Sequence, residues 1–163
     1  METLEVRFKK IREDAVIPSY AHDGDLGMDM TATSIEYNAK MDCYIYGTSL
    51  AFATDMGSGV LTFPRSSNRK TEAYLANSVG VIDSALYRGE ILFCFKNRTS
   101  FETRIVMEKQ KIMEELMRDP LVKTFEDYKK ELCDRLGKMK LNPLDYAPYK
   151  IGDKVGQMFA VKQ

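Results

Sequence analysis

Residues 77–90, reading NSVGVIDSALYRGE, decide the fold that the sequence predicts. The stretch opens on a polar turn, continues through the apolar residues Val79, Val81 and Ile82, and then presents one carboxylate, Asp83. A second apolar run, ILFCF, follows directly. Two strands around a polar tip predict a β-hairpin with Asp83 at its tip. An aspartate in that place is either a general base held against a buried strand or an ordinary turn residue.

Strand patterns extend on both sides of this hairpin, so the sequence predicts an all-β domain. Alternation of apolar and polar residues is typical of strands that bury one face. Gly and Pro between these runs mark turns. The predicted strands cover 4–11 and 28–32, a hairpin region over 34–50, a second hairpin of 50–54 with 60–63, and a last strand over 154–161.

A helical segment of about residues 102–139 interrupts the β pattern. Apolar residues recur there at helical spacing, and Asp119-Pro120 ends the first helix because the residue before proline avoids the α region. Thr124 and Asp127 predict a capped start for the second helix. The apolar stripes indicate packing surfaces, so no catalytic role is predicted. A lid over a sheet edge, a platform for a protein partner and a simple insertion remain open.

The composition excludes several classes of partner. The 163 residues contain 24 basic and 24 acidic side chains, so no basic field favours nucleic acid or an anionic membrane. No apolar run reaches 18 residues and the N-terminus is charged, which predicts a cytoplasmic protein. Three widely spaced cysteines and one histidine do not predict a zinc site.

Three further places carry polar groups next to predicted strands. Arg65, Ser66 and Ser67 follow Pro64 and could cradle a phosphate or simply begin a turn. Asp29, between two methionines, is either an outward-facing strand residue or a functional carboxylate. Gln157, amid apolar residues, needs partners for both ends of its amide, and a phosphate or the backbone could supply them.

Four of these segments together resemble the trimeric deoxyuridine triphosphate pyrophosphatases (dUTPases). DLGMDM at 25–30, PRSS at 64–67, GVIDSALYRGE at 80–90 and KIGDKVGQM at 150–158 resemble the first four motifs of that family, in the family's order. The resemblance covers most of the chain outside about residues 100–145. It implies a distorted β-barrel or jelly roll over 1–163, with 102–140 as an insertion. It also implies a homotrimer whose sites lie between subunits.

The resemblance further implies hydrolysis of dUTP to dUMP and pyrophosphate with Mg²⁺ on the triphosphate. Asp83 would activate the attacking water and contact the sugar 3′-hydroxyl, and Tyr87 would lie under the deoxyribose. The Asn77 side chain and the backbone around Gly80 and Ile82 would read the uracil edge.

The first, second and fourth motifs supply the remaining implied roles. Asp29 would approach the metal through water. The phosphate-binding residues implied by the resemblance are Arg65, Ser66, Ser67 and Gln157.

Three departures from the family pattern carry expectations of their own. Four steps separate Asp83 from Tyr87 where the family has three, which predicts a bulge at 84–86; without it, Tyr87 loses its assignment. Leu26 replaces a small residue in the first motif. The fifth motif does not follow the fourth, from which we expect weaker closure over the phosphates.

Two alternatives to the pyrophosphatase remain. A deoxycytidine triphosphate deaminase shares the fold and lacks the fifth motif, but it needs a glutamate near the base, and Glu90 stands past the predicted turn. A non-catalytic regulatory protein would keep the nucleotide pocket and use the helical segment to bind a protein partner.

Overall fold

The computed structural model describes residues 4–162, and within that range the chain forms ten β-strands and two α-helices. The predicted all-β fold with a helical insertion is confirmed. The predicted domain over 1–163 includes residues 1–3 and 163, which lie outside the described range. The strands are β1 (Val6–Lys10), β2 (Met28–Thr31), β3 (Ser34–Asn38), β4 (Cys43–Gly47), β5 (Leu50–Thr54), β6 (Ser58–Phe63), β7 (Ala73–Leu75), β8 (Gly80–Ile82), β9 (Leu92–Asn97) and β10 (Lys154–Lys162).

These strands pair, entirely antiparallel, into three sheets. One four-stranded sheet has the order β2-β10-β6-β8 and is called the site sheet below. The second has the order β3-β4-β9-β7, and β1 pairs with β5 in the third. β8 is an edge strand of the site sheet. The side of β8 that faces away from β6 has no neighbouring strand among the described residues.

The site sheet buries one face and leaves the other partly open, as alternation along a strand requires. Its inner face carries Met30, Val60, Thr62 and Met158, all buried. A Cβ added to Gly156 on this face would overlap the buried Phe93 ring, which explains why the smallest residue stands there. The outer face consists of Leu61, Phe63, Val81, Phe159 and Val161, with Asp29 and Gln157 at one end.

Two of the predicted hairpins are wrong, although the strands themselves are present. β8 and β9 belong to different sheets, and residues 83–91 connect them instead of forming a hairpin tip. Likewise β5 pairs with β1, whereas β6 pairs with β10 and β8. An apolar pattern shows which face of a strand is buried, but it does not show which strand supplies the hydrogen bonds. The predicted hairpin of β3 and β4 is confirmed.

The helical segment forms a separate compact unit, Thr99–Tyr146, which is slightly longer than predicted. It contains α1 (Phe101–Arg118) and α2 (Phe125–Lys138). The predicted capping box is confirmed, because Thr124 accepts from the Asp127 amide and Asp127 accepts from the Thr124 amide. Arg135 of α2 joins the helices by ion pairs with Glu115 and Asp119.

The strands lie in the other unit, Met1–Arg98 with Ala147–Gln163. Neither helix of the described chain is long and apolar enough to cross a membrane.

Candidate active site

A buried carboxylate, Asp29, lies at the centre of a polar cluster on the site sheet. Its Oδ1 accepts from Arg65 Nε at 2.9 Å and from Gln157 Nε2 at 3.3 Å. Its Oδ2 accepts from Arg65 Nη2 at 3.3 Å and from Lys154 Nζ at 2.7 Å. Three of these four residues were predicted from the sequence. The structure therefore brings Asp29, Arg65 and Gln157 into direct contact and adds Lys154.

Strand register explains how distant residues meet there. In the site sheet Gln157 of β10 stands opposite Asp29 of β2 on one side and Phe63 of β6 on the other. Directly paired residues point to the same face of a sheet. Arg65 follows two residues after Phe63, beyond Pro64, and its long side chain reaches back to Asp29.

Lys154 was not among the predicted site residues, because strict alternation along β10 places its side chain on the face opposite to Gln157. It precedes Gln157 by three residues, an odd number, which in a regular strand puts the two side chains on opposite faces. The pairing of β10 with β2 is irregular between Lys154 and Gly156, and this irregularity brings Lys154 to Asp29. The remaining sequence signal is weak: a lysine close to a predicted phosphate-binding glutamine.

The charges of this cluster act on the Asp29 carboxyl in opposing directions. Burial raises its pKa, whereas the hydrogen bond from Lys154 and the charges of Arg65 and Lys154 lower it. The net result is a pKa below the ordinary value of 3.8. Asp29 is therefore ionised at neutral pH, and the cluster carries two positive charges against one negative.

This environment does not fit Asp29 as a carboxylate that faces a metal ion. Its side chain is 3% exposed, and its oxygens already accept four hydrogen bonds, three of them from cationic groups. Two neighbouring cations disfavour a third. The described residues also contain no group of three or more His, Cys, Asp or Glu side chains able to hold a metal.

The lowered pKa of Asp29 predicts a specific loss of stability in acid. Near its pKa this carboxyl binds fewer protons in the folded protein than in the unfolded chain. The contribution of Asp29 to the free energy of unfolding is therefore complete above about pH 4. It is lost as the pH falls from 3.8 toward the folded-state pKa. We expect the free energy of unfolding of the wild type to fall more steeply below pH 4 than that of Asp29→Asn. Urea unfolding between pH 3 and pH 6 measures both slopes, and parallel profiles would contradict this assignment.

Ser66 and Ser67 begin a 3₁₀ turn, Ser66–Lys70, directly after Arg65. The alternative interpretation, that the two serines begin a turn, is therefore confirmed, although no side chain caps this turn; the phosphate-binding role of Ser66 and Ser67 stays a prediction. Asn68 holds the turn in place, since its amide donates to the Ala73 carbonyl at 2.9 Å and its oxygen accepts from the Tyr149 hydroxyl at 2.7 Å. The sequence did not indicate this role of Asn68.

Asp83 follows the last residue of β8 and is exposed to solvent. It lines a shallow pocket of about 360 Å³ on the outer face of the site sheet, together with Gly59, Leu61, Val81 and Val161. Ile82 pairs with Val60, so Asp83 lies beside Gly59 at the start of β6. A water molecule can reach this carboxylate.

Asn77, Gly80 and Ile82 lie on or next to the free edge of β8. A Cβ added to Gly80 would overlap the Thr62 hydroxyl and would lie 3.5 Å from the Asn77 amide nitrogen. Only glycine therefore permits this close approach of β8 to β6. An edge strand presents backbone N–H and C=O groups that can pair with a ligand.

The predicted bulge at 84–86 is wrong, because no strand covers residues 83–91. Ser84 begins a turn instead: its carbonyl accepts from the Tyr87 amide at 3.0 Å and its hydroxyl from the Leu86 amide at 3.2 Å. The turn takes up the extra residue without a bulge, so Tyr87 loses its assignment as the residue under the deoxyribose. The Tyr87 hydroxyl instead donates to the Glu90 carbonyl at 3.0 Å.

The predicted site residues therefore form two groups within one chain. Asp83 lies level with Gly59, whereas Gln157 pairs with Phe63, four residues further along β6. At about 3.3 Å per residue these positions are about 13 Å apart, and Arg65 lies further still. The Asp29 cluster stands at one end of the outer face and Asp83 at the other.

Curated relatives decide the family of this chain. The deoxyuridine 5′-triphosphate nucleotidohydrolase of Picosynechococcus is 35% identical over 107 residues, covering 64% of this chain and 75% of the relative. The same enzyme of Clostridium tetani is 31% identical over 121 residues, which cover 72% of this chain and 80% of the relative. The chain belongs to the dUTPase family. No family model matches it.

Other dUTPases match over a smaller share of their length. The relative from Corynebacterium glutamicum is 36% identical over 93 residues, covering 56% of this chain and 62% of the relative. In the relatives from Rhodococcus erythropolis and Nocardia farcinica the chain spans 57% and 55% of the length.

Solved dUTPase structures share the fold. The enzyme of Staphylococcus bacteriophage 80alpha superposes with a TM-score of 0.59 at 17% identity, covering 98% of this chain and 90% of the phage protein. A mutant dUTPase from phage phi11 of Staphylococcus aureus, whose structure shows the coordination of a structural Mg(II) ion, superposes with a TM-score of 0.56 at 17% identity, covering 98% of this chain and 91% of the phage protein. At such low identity the likeness shows the fold alone.

Proposed function

We propose that this chain hydrolyses dUTP to dUMP and pyrophosphate. The observation that carries the proposal is the outer face of the site sheet, which has a cationic cluster at one end and an exposed carboxylate beside a free strand edge at the other. Cationic side chains can bind a triphosphate, and a free strand edge can form hydrogen bonds with a nucleobase. An exposed carboxylate can accept a proton from water. Membership of the dUTPase family supports the same reaction.

In this mechanism Asp83 is the general base. A water oxygen forms a bond to the α-phosphorus while Asp83 accepts the proton that this water loses. The bond from the α-phosphorus to the oxygen that bridges to the β-phosphate breaks, and the electron pair leaves with pyrophosphate. Arg65, Gln157 and the start of the turn at Ser66 and Ser67 hold the phosphates and orient them for this attack.

The distance within one chain argues that the site forms between two copies. A general base must lie within about 3 Å of the water that it deprotonates, and that water must contact the α-phosphorus. Asp83 and the phosphate-binding cluster of the same chain are about 13 Å or more apart. A second copy brings its Asp83 to the cluster of the first, and three such contacts close a symmetric homotrimer.

The outer face of the site sheet supports this assembly. Val81 is 62% exposed and lies level with Leu61, between the two halves of the site. Val161 is 38% exposed and pairs with Gly59, at the Asp83 end. Exposed apolar side chains next to a split site indicate a surface that another chain covers.

We take the substrate to be the magnesium complex of dUTP. Mg²⁺ keeps several waters and is bound through phosphate oxygens in many nucleotide sites, where it offsets phosphate charge. The ion therefore does not require Asp29 as a ligand.

On the base side, the free edge of β8 would pair with uracil through the backbone of Gly80 and Ile82, aided by the Asn77 amide. The deaminase alternative is weaker, because Glu90 already accepts from the Ser49 amide at 2.6 Å and so stabilises a turn.

A regulatory protein that binds a partner through the helical unit is the second candidate. Large apolar side chains of that unit are exposed, which favours an interaction surface; they are Val106, Met107, Met117, Leu121 and Phe125. In that case the nucleotide site would bind dUTP without turnover.

Pyrophosphate release from dUTP in the presence of Mg²⁺ tests the proposed function, with dCTP, dTTP and UTP measured in parallel. We expect release from dUTP and much less from the other three. Ammonia release from dCTP would support the deaminase instead. Binding of dUTP without release from any nucleotide would support the regulatory protein.

A further inference from the structure

We propose that Lys154 is a second phosphate-binding cation, which Asp29 holds beside Arg65 at the proposed triphosphate site. This inference rests on the proposed function, because it assigns a further ligand to the same substrate. Lys154 lies within the segment 150–158 that resembles the fourth motif, where the resemblance as stated above implies a role for Gln157 only.

The geometry places two cations side by side. Lys154 Nζ lies 2.7 Å from Asp29 Oδ2, and Arg65 Nη2 lies 3.3 Å from the same oxygen. The two nitrogens can therefore be no more than about 6 Å apart. One carboxylate on β2 thus positions a cation from β10 and a cation that follows β6.

The exposure of the three side chains shows which way the charges face. The Asp29 side chain is 3% exposed, whereas Arg65 is 28% exposed and Lys154 is 48% exposed. The carboxylate is buried beneath the cations, and both cations reach solvent. An ammonium has three N–H donors, of which Asp29 takes one, so two remain for a ligand.

The charge balance argues that Lys154 does more than neutralise Asp29. Arg65 already binds both carboxylate oxygens and by itself compensates the single negative charge. Lys154 is therefore a surplus positive charge in a protein whose total charge is zero. Two adjacent cations repel each other, and a polyphosphate between them removes that repulsion.

Inorganic tripolyphosphate, titrated without metal at pH 7.5 and low salt, is the probe for this assignment. It presents the phosphates of dUTP and lacks the base, the sugar and the hydrolysis step. Calorimetry would compare the wild type with Lys154→Gln, Lys154→Arg and the control Lys138→Gln. Lys138 is a suitable control because it is also an exposed lysine paired with one aspartate, Asp134, but lies in the helical unit.

We expect Lys154→Gln to weaken tripolyphosphate binding by about 10- to 100-fold, as the loss of one charge-assisted hydrogen bond does. Lys154→Arg should keep most of the affinity, and Lys138→Gln should bind as the wild type does. With dUTP, we expect Lys154→Gln to raise KM far more than it lowers kcat, because the phosphates are bound before and during the reaction.

Three results would overturn the assignment. The first is that the wild type does not bind tripolyphosphate, and the second is that Lys154→Gln binds it as tightly as the wild type does. The third is that Lys154→Gln loses affinity together with a large fall in its unfolding midpoint, which indicates a structural role through Asp29. Failure of the proposed function is separate: a protein that does not turn over dUTP but binds tripolyphosphate through Lys154 retains this site.

Discussion

Asp83→Asn is expected to lower kcat for dUTP hydrolysis by about 10²- to 10⁴-fold, the usual contribution of a general base. Asparagine keeps the size and shape of the side chain but cannot accept the proton of the attacking water. Asp83 is exposed at the end of β8 and takes no part in the core, so the variant should fold as the wild type does. Single-turnover pyrophosphate release with excess enzyme measures the chemical step directly, and fluorescence or calorimetry measures dUTP binding.

Asp55→Asn is the matched control, because Asp55 is also an exposed aspartate that follows directly after a strand. It should hydrolyse dUTP at the wild-type rate. If Asp83→Asn keeps more than about a tenth of the wild-type kcat, Asp83 is not the base. If neither the wild type nor the variant turns over dUTP while both bind it, the protein is a nucleotide-binding regulator.

The proposed split of the site between copies makes the same variant informative in mixtures. Asp83→Asn lacks the base but keeps the phosphate-binding cluster, whereas Arg65→Ala lacks the main phosphate ligand but keeps the base. When the two inactive proteins are unfolded together and refolded, mixed assemblies contain some sites with both intact halves. Recovery of activity on mixing supports shared sites, and its absence argues that one chain supplies both groups.

Asp29→Ala is expected to lower the free energy of unfolding by about 2–4 kcal/mol and to weaken tripolyphosphate binding at least about tenfold. The substitution removes the acceptor of all four hydrogen bonds in the cluster. It also leaves the Arg65 and Lys154 cations without the carboxylate that compensates and positions them. Urea unfolding at pH 7 and calorimetry measure the two effects.

Asp134→Ala serves as the control for this second prediction. Its carboxylate pairs with Lys138, but both side chains are at least half exposed. Exposed ion pairs contribute little to stability, so its unfolding midpoint should stay at the wild-type value. An Asp29→Ala protein with wild-type stability and wild-type tripolyphosphate affinity would show that Asp29 does not organise the cations.

The hairpin and helix predictions show what kind of sequence signal is reliable. The helical unit was predicted closely, because caps and breakers such as Thr124 and Pro120 act within a few residues of their position. Most strands were also predicted, since alternation is a local pattern, but β7 was not, because its three residues are too few to show that pattern. The pairing of β8 with β9 was wrong, because strand pairing depends on long-range packing that adjacent residues do not record.

The sequence by itself determined both helices and every strand except β7, the motifs of the dUTPase family and the candidate residues Asp29, Arg65, Asp83 and Gln157. These follow from local patterns and residue chemistry. Only the tertiary structure decided that Asp29 faces cations, that Lys154 joins them and that Asp83 lies at the far end of the same sheet face. The physical reason is strand register. An irregularity in β10 turns the Lys154 side chain to the face that carries Asp29, and the length of β6 separates Asp83 from Gln157, although both belong to motifs of the same family.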